Sequence, residues 1–124
     1  MVTTFAQACK ATGHDPKKLP DVSMLPKKHQ KSIIAFFKLI IVIEALNEGW
    51  TPDWNDSSQW KYYAWFRVKA SDQNPSGVGF SYSNYAYAYT HSHVGSRLCF
   101  KSPDLALHAG KHFEQLYIDY LLIP

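Results

Sequence analysis

A chain of 124 residues, 46% hydrophobic and 19% charged, has the size of one domain with its own core and is too apolar for a disordered tail. A net charge of +3 is too small for indiscriminate coating of DNA, and two cysteines, Cys9 and Cys99, make no disulfide framework of the small secreted kind. The polar N-terminus lacks the apolar segment of a signal peptide, and the two thiols fit free, buried groups in a reducing cytosol, so the expected location is the cytoplasm.

The charge alternates along the chain. Residues 1–31 set six lysines against Asp15 and Asp21, a balance of +4. Residues 32–60 carry −3, residues 61–101 carry +4 and residues 102–124 carry −2. Aromatic residues are abundant, with eight Tyr, seven Phe and four Trp, and such rings supply packing area in a core or an interface.

The spacing predicts a short helix over 4–12. Thr4 and Gln7 form a capping-box pair, Phe5, Ala8 and Cys9 share a face, and Gly13 sits where the helix stops. Pro16, Pro20 and Pro26 make 14–26 an extended connector, because the residue before a proline is pushed out of the helical region. A long helix is expected from Pro26 to Asn47. Between Ile33 and Leu46 its charged residues are Lys38 and Glu44, so it must be covered on nearly all sides. The eleven-residue apolar run 33–43, interrupted by Lys38, falls short of the ~20 apolar residues a membrane span needs. Lys27, Lys28, His29 and Lys31 crowd the first turns and oppose the helix dipole at about 0.3–1 kcal/mol per well-placed charge. They read either as a solvated basic turn or as an end that faces an anion. Gly49 suits the left-handed cap position.

Trp50 and Trp54 flank Pro52, and the Asn55-Asp56-Ser57-Ser58 cluster that follows marks an ordered turn. The tryptophans read as a structural plug or as a ligand-holding pair. From Trp60 the period becomes two: Tyr62, Ala64, Phe66 and Val68 face one way, and Lys61, Tyr63, Trp65, Arg67 and Lys69 the other. Asn74-Pro75 turns the chain. A second strand is expected over 78–82, a tight turn at Ser83-Asn84, and a third strand over 85–93. In that third strand Tyr85, Tyr87, Tyr89, His91 and His93 alternate with small residues that would let a helix approach. A last strand runs over 97–101, with Leu98 and Phe100 inward. Ser102-Pro103-Asp104 then opens a C-terminal helix to about Leu122, with an apolar stripe of Leu105, Ala109, Phe113, Leu116 and Tyr120.

These elements predict an α+β fold. It is a three- to four-stranded antiparallel sheet with one face packed on two long helices, plus a short N-terminal helix. The expected organisation is a single domain over 1–124: a helical part (1–50), the antiparallel sheet (60–101) and the C-terminal helix (102–122).

The run EALNEGWTPDWNDSSQWKYYAWF, together with VGSRLCFKS and the helix after it, resembles a family of short proteins carried by Bacteroides-type phages and integrated mobile elements. The opening FAQACKATG and the KLIIVIEALNEGW segment fit the same family, so the resemblance covers nearly the whole chain. Relatives often carry proline where this chain has Ala64, a small departure that leaves the strand reading intact. The resemblance implies an accessory role in a bacterial host. It implies no chemistry.

No catalytic set is recognisable. His91/His93 and His108/His112 each have metal-ligand spacing, but no HExxH, paired-cysteine motif or acidic third ligand accompanies them. There is no GxSxG elbow, and Gly77-Val78-Gly79 is followed by neither a helix nor GK[ST]. Cys99 among apolar neighbours reads as inert. Glu44 and Glu48 read as ordinary charges on one helix face. A non-enzymatic protein without metal or cofactor is therefore expected.

The ligand-binding candidates are Lys61, Tyr63, Trp65, Arg67 and Lys69, joined by Arg97 and Lys101, with the Tyr85/Tyr87/Tyr89 stripe nearby if the register agrees. Rings stack on unpaired bases while Lys and Arg meet phosphates, so this face fits single-stranded nucleic acid or a nucleotide-like anion. Exposed Tyr, Trp and Arg are also what protein hot spots use. The alternative is thus a protein-interaction module that acts on a host or phage complex, or a homodimer. No membrane partner is expected.

Overall fold

A helix as apolar as residues 33–46 is stable only when wrapped, and the other helices do the wrapping. The computed structural model describes all 124 residues and is α+β. In chain order the elements are α1 (Phe5–Thr12), α2 (Lys27–Asn47), β1 (Lys61–Lys69), β2 (Gly79–Ala88), a 3-10 turn (Ser96–Leu98), α3 (Pro103–His112) and α4 (Glu114–Leu121). No helix is long and apolar enough to cross a membrane.

Local signals set the helix ends. The Thr4 hydroxyl accepts from the Gln7 N–H (3.2 Å) and the Gln7 side chain accepts from the Thr4 N–H (3.3 Å), while Gly13 closes α1 at φ 80°. Pro26 caps α2 with no side-chain hydrogen bond. At the other end Glu48 (φ 50°) and Gly49 (φ 82°) both take left-handed conformations, so the cap begins one residue before the glycine. Ser102 accepts from the Leu105 N–H at the start of α3, with Pro103 in the first turn.

The core unites Ala8 and Cys9 of α1, Leu39, Ile41, Val42, Ile43 and Leu46 of α2, Phe100, and Leu105, Ala109, Phe113 and Tyr117 from the C-terminal helices. Fully burying a side chain of the Leu or Phe class contributes about 1.5–3 kcal/mol. The expected single C-terminal helix is two. Phe113 leaves helical geometry (φ −122°, ψ 25°), ending α3 and starting α4. No proline or glycine causes this break. Its result is to aim Tyr117 at Phe66 of the ribbon (ring centroids 4.8 Å apart), leaving Leu116 and Tyr120 only half-buried. Tyr120 instead stacks on Phe36 of α2, and its carbonyl accepts from the Ser32 hydroxyl at 2.7 Å.

The sheet is a two-stranded antiparallel ribbon, not three or four strands. The expected strands 78–82 and 85–93 merge into the continuous β2, without a turn at Ser83-Asn84. Alternation alone does not distinguish a turn from a bulge. Here a bulge places Arg67 opposite Tyr82 and Val68 opposite Phe80, with Ser81 as the extra residue. Ladder pairing stops at Lys61–Ala88, where β1 begins, so Tyr89 to His93 have no strand to join.

The expected last strand shrinks to one bridge, Tyr62 with Phe100, closed by two hydrogen bonds of 3.0 and 2.6 Å. It is squeezed between the 3-10 turn and the Ser102 cap. Its far edge is closed by one side chain: buried Asn47 donates to the Cys99 carbonyl (2.9 Å) and accepts from the Lys101 N–H (3.1 Å). The Asn47 amide thus stands in for a neighbouring strand. The ribbon's inner face lies on α3, with Tyr117 of α4 reaching Phe66, whereas α2 packs mainly against α1 and α4. That corrects the expectation that both long helices floor the sheet.

Candidate functional site

In an antiparallel ladder, residues directly opposite share a face. The register therefore assigns every ribbon side chain. Tyr62, Ala64, Phe66 and Val68 share the inner face with Tyr87, Tyr85, Ser83 and Phe80. Phe66 stacks on Phe80 (4.2 Å) and reaches Gly110 of α3, where a Cβ would sit 3.5 Å from the ring. Lys61, Tyr63, Trp65 and Arg67 share the outer face with Ala88, Ala86, Asn84 and Tyr82.

Four predicted residues come together on that outer face: Tyr63, Trp65, Arg67 and Lys69. No helix packs over them. Tyr63 and Trp65 are half-buried by their neighbours, and Arg67 and Lys69 are exposed. Tyr82 joins them. It lies opposite Arg67, 51% exposed, with its ring 5.7 Å from that of Trp65. Sequence reasoning missed Tyr82 because it ended a strand there. A continuous β2 carried through the bulge would have placed it. Asn84 donates to the Tyr82 hydroxyl (3.2 Å) and holds that ring beside the indole.

Trp65 is anchored across the ribbon. Its indole N–H donates to the Tyr85 carbonyl at 3.1 Å. With its one donor occupied, the ring offers a flat apolar surface and no base-specific hydrogen bond. Such a surface stacks on any base.

Lys61 does not belong to this site. It is 1% exposed, and its ammonium donates to the backbone carbonyls of Asp56 (2.9 Å) and Tyr89 (2.6 Å), 5.2 Å from the Trp54 ring centre. A buried ammonium is tolerated when hydrogen bonds and an aromatic face replace its water. Trp54 in turn donates to the Ser96 hydroxyl at 2.8 Å. The W-T-P-D-W-N-D segment thus folds over one end of the ribbon with Lys61 as its central tie. The carboxylate of Asp56 is held below the usual range, chiefly by hydrogen bonds from Ser58.

Arg97 and Lys101 also stand apart. Arg97 is in the 3-10 turn and lines a groove of about 580 Å³ with Trp50, Phe37 and Glu44. Lys101 follows the Phe100 bridge, so it falls beside Lys61, about 20 Å along the strand from Arg67. The Tyr85/Tyr87/Tyr89 stripe does not adjoin the basic face either. Tyr85 and Tyr87 are on the inner side, where Trp60 stacks on Tyr87 (4.9 Å) and meets Tyr89 edge-on (5.4 Å). These four rings remain 36–49% exposed and form a second, uncharged aromatic patch.

The remaining chemistry-bearing residues sit in structural settings. Cys99 is buried, and desolvation pushes its thiol up to about 11, away from the reactive thiolate. The rings of His108 and His112 lie 4.3 Å apart, but His108 is bonded to the Val2 carbonyl at 2.6 Å. No three His, Cys, Asp or Glu side chains cluster as metal ligands. No family model matches the chain, and no curated protein or solved structure does.

Proposed function

We propose that this chain is a non-enzymatic accessory protein of the phage or mobile-element type, working in the cytoplasm of a bacterial host. Its ligand is single-stranded nucleic acid or a nucleotide-like anion, held on the outer face of the ribbon. One observation carries the reading: Tyr63, Trp65 and Tyr82 lie beside Arg67 and Lys69 on a face that no helix covers. Unpaired bases stack on the rings and phosphates meet the two cations. The binding residues are Tyr63, Trp65, Arg67, Lys69 and Tyr82.

The test is anisotropy titration of a fluorescein-labelled oligothymidine, with a duplex as competitor. Losing one base–aromatic stack costs about 1–3 kcal/mol, a factor of about five to 150 in Kd. Trp65→Ala with Arg67→Ala should weaken binding by at least that much. It should also flatten the salt dependence by about 0.7 in log–log slope for the lost phosphate contact. A two-stranded ribbon is also a shape that enters a duplex major groove. Equal competition by the duplex, or unchanged affinity in the double variant, rejects the proposal.

A second observation favours the interaction-module reading. The exposed rings of Trp60, Tyr85, Tyr87 and Tyr89 form an uncharged aromatic patch of the sort that anchors protein hot spots. On that reading a host or phage protein, or a second copy of the chain, covers the patch. Nuclease-treated pull-downs and sedimentation of wild type against Trp60→Ala with Tyr87→Ala separate the two: loss of a partner or a dimer in the variant supports it.

A further inference from the structure

A groove of about 900 Å³ lies between the 14–26 connector, the N-terminal half of α2 and α4, on elements the ribbon site does not use. Its floor is aliphatic, with Leu19, Val22, Ile34 and Leu116. One wall is basic. Lys27, Lys31 and Lys38 are four and seven residues apart along α2, which puts them within about 40° of one another around the axis and spreads them over about 16 Å. Lys28 adds a fourth charge to the same rim.

None of these ammoniums has a carboxylate partner within ion-pair distance. The one histidine–carboxylate contact of this length, His14 with Glu44 (3.9 Å), involves none of them. Asp119 is the one acidic side chain that lines the groove, and it already accepts from Gln115 at 2.9 Å. Lys38 is held over the Phe5 ring (5.3 Å), which fixes a cation at the far end. Three lysines at the start of α2 also work against the helix dipole, and no acid in the first turn offsets them. The fold gains nothing from this arrangement, but an anionic partner does.

We propose that this groove binds an acidic amphipathic helix of a partner protein. The chemistry selects that occupant over others. A single carboxylate or phosphate head cannot meet lysines spread over about 16 Å, whereas carboxylates repeated along a helix can. The aliphatic floor takes the partner's apolar stripe. No aromatic ring lines the groove, so nucleic-acid bases have nothing to stack on here. The proposal is independent of the ribbon site.

The test is anisotropy of a fluorescein-labelled amphipathic peptide of about four helical turns, with leucine on one face and glutamate flanking it, titrated with the full chain. A peptide with glutamine for glutamate is the control. Lys27→Glu with Lys31→Glu should weaken the glutamate peptide roughly tenfold or more, and Trp65→Ala with Arg67→Ala should leave it unchanged. The charge reversal relieves the dipole conflict, so its melting temperature should equal or exceed the wild type, which separates lost binding from lost folding. Three results overturn the proposal: equal binding of the glutamine control, affinity unaffected by the charge reversal, or loss of binding in the ribbon variant. Binding of phosphatidylglycerol vesicles without binding of the peptide reassigns the wall to lipid headgroups and overturns it as well.

Discussion

Lys61→Met tests most directly how the ribbon site is bounded. Methionine keeps the unbranched stem and its packing but removes the ammonium that ties Asp56 and Tyr89 together over Trp54. A hydrogen bond from a charged donor contributes about 1.5–3 kcal/mol. Two such bonds set a ceiling of about 3–6, offset in part because the variant no longer buries a charge. The expected loss of stability is about 2–4 kcal/mol. At a urea slope of about 1.5 kcal/mol per M this moves the unfolding midpoint down by about 2 M. The folded variant should bind oligothymidine within about twofold of wild type and with the same salt slope, because Lys61 touches no solvent. An unchanged midpoint together with a slope reduced by about 0.7 would refute this assignment and return Lys61 to the binding face.

Three further outcomes follow from the packing. The Tyr117 hydroxyl is buried without a partner, so Tyr117→Phe should stabilise the protein by about 1 kcal/mol in urea unfolding; burial also pushes that phenol's pKa far up. Asn47→Leu should cost about 2–4 kcal/mol, because it leaves the Cys99 carbonyl and the Lys101 N–H unpaired, and amide exchange at Lys101 should accelerate in the same variant. His112 is held below the ordinary imidazole range, first by desolvation and then by the charges of His108 and Lys111. As pH falls the unfolded chain therefore takes up this proton before the folded one. The contribution is complete above about pH 6.5 and is lost as pH falls through the lower folded value. The urea midpoint should drop between pH 7 and 5, and His112→Gln should reduce the drop.

Much of the architecture was legible because it is written in local chemistry. The Thr4–Gln7 box, Gly13, the Ser102-Pro103 start and the apolar run 33–46 each act within a few residues, and the corresponding helices formed where expected. Strict alternation from Lys61 likewise gave the two faces of β1. Of the proposed site, Tyr63, Trp65, Arg67 and Lys69 stayed together because one strand's own period holds them. Their service as a binding face is the proposal that titration tests.

What failed depended on contacts between distant segments. Alternation marked Lys61 as a face residue, but only the fold-back of residues 50–60 and the carbonyl of Tyr89 made it a buried tie. The side of the Tyr85/Tyr87 stripe is a matter of pairing register, and a one-residue bulge at Ser81 decides where Tyr82 and Phe80 fall. Arg97 and Lys101 left the site because Asn47 and Tyr62 together hold just one residue pair's worth of third strand. By itself the sequence determined where the first three helices begin, which helix must be covered and which side chains one strand presents together; the start of the fourth at Glu114 it did not. The tertiary structure alone decided strand number, register and which cations meet water, because those depend on hydrogen bonds closed between residues tens of positions apart.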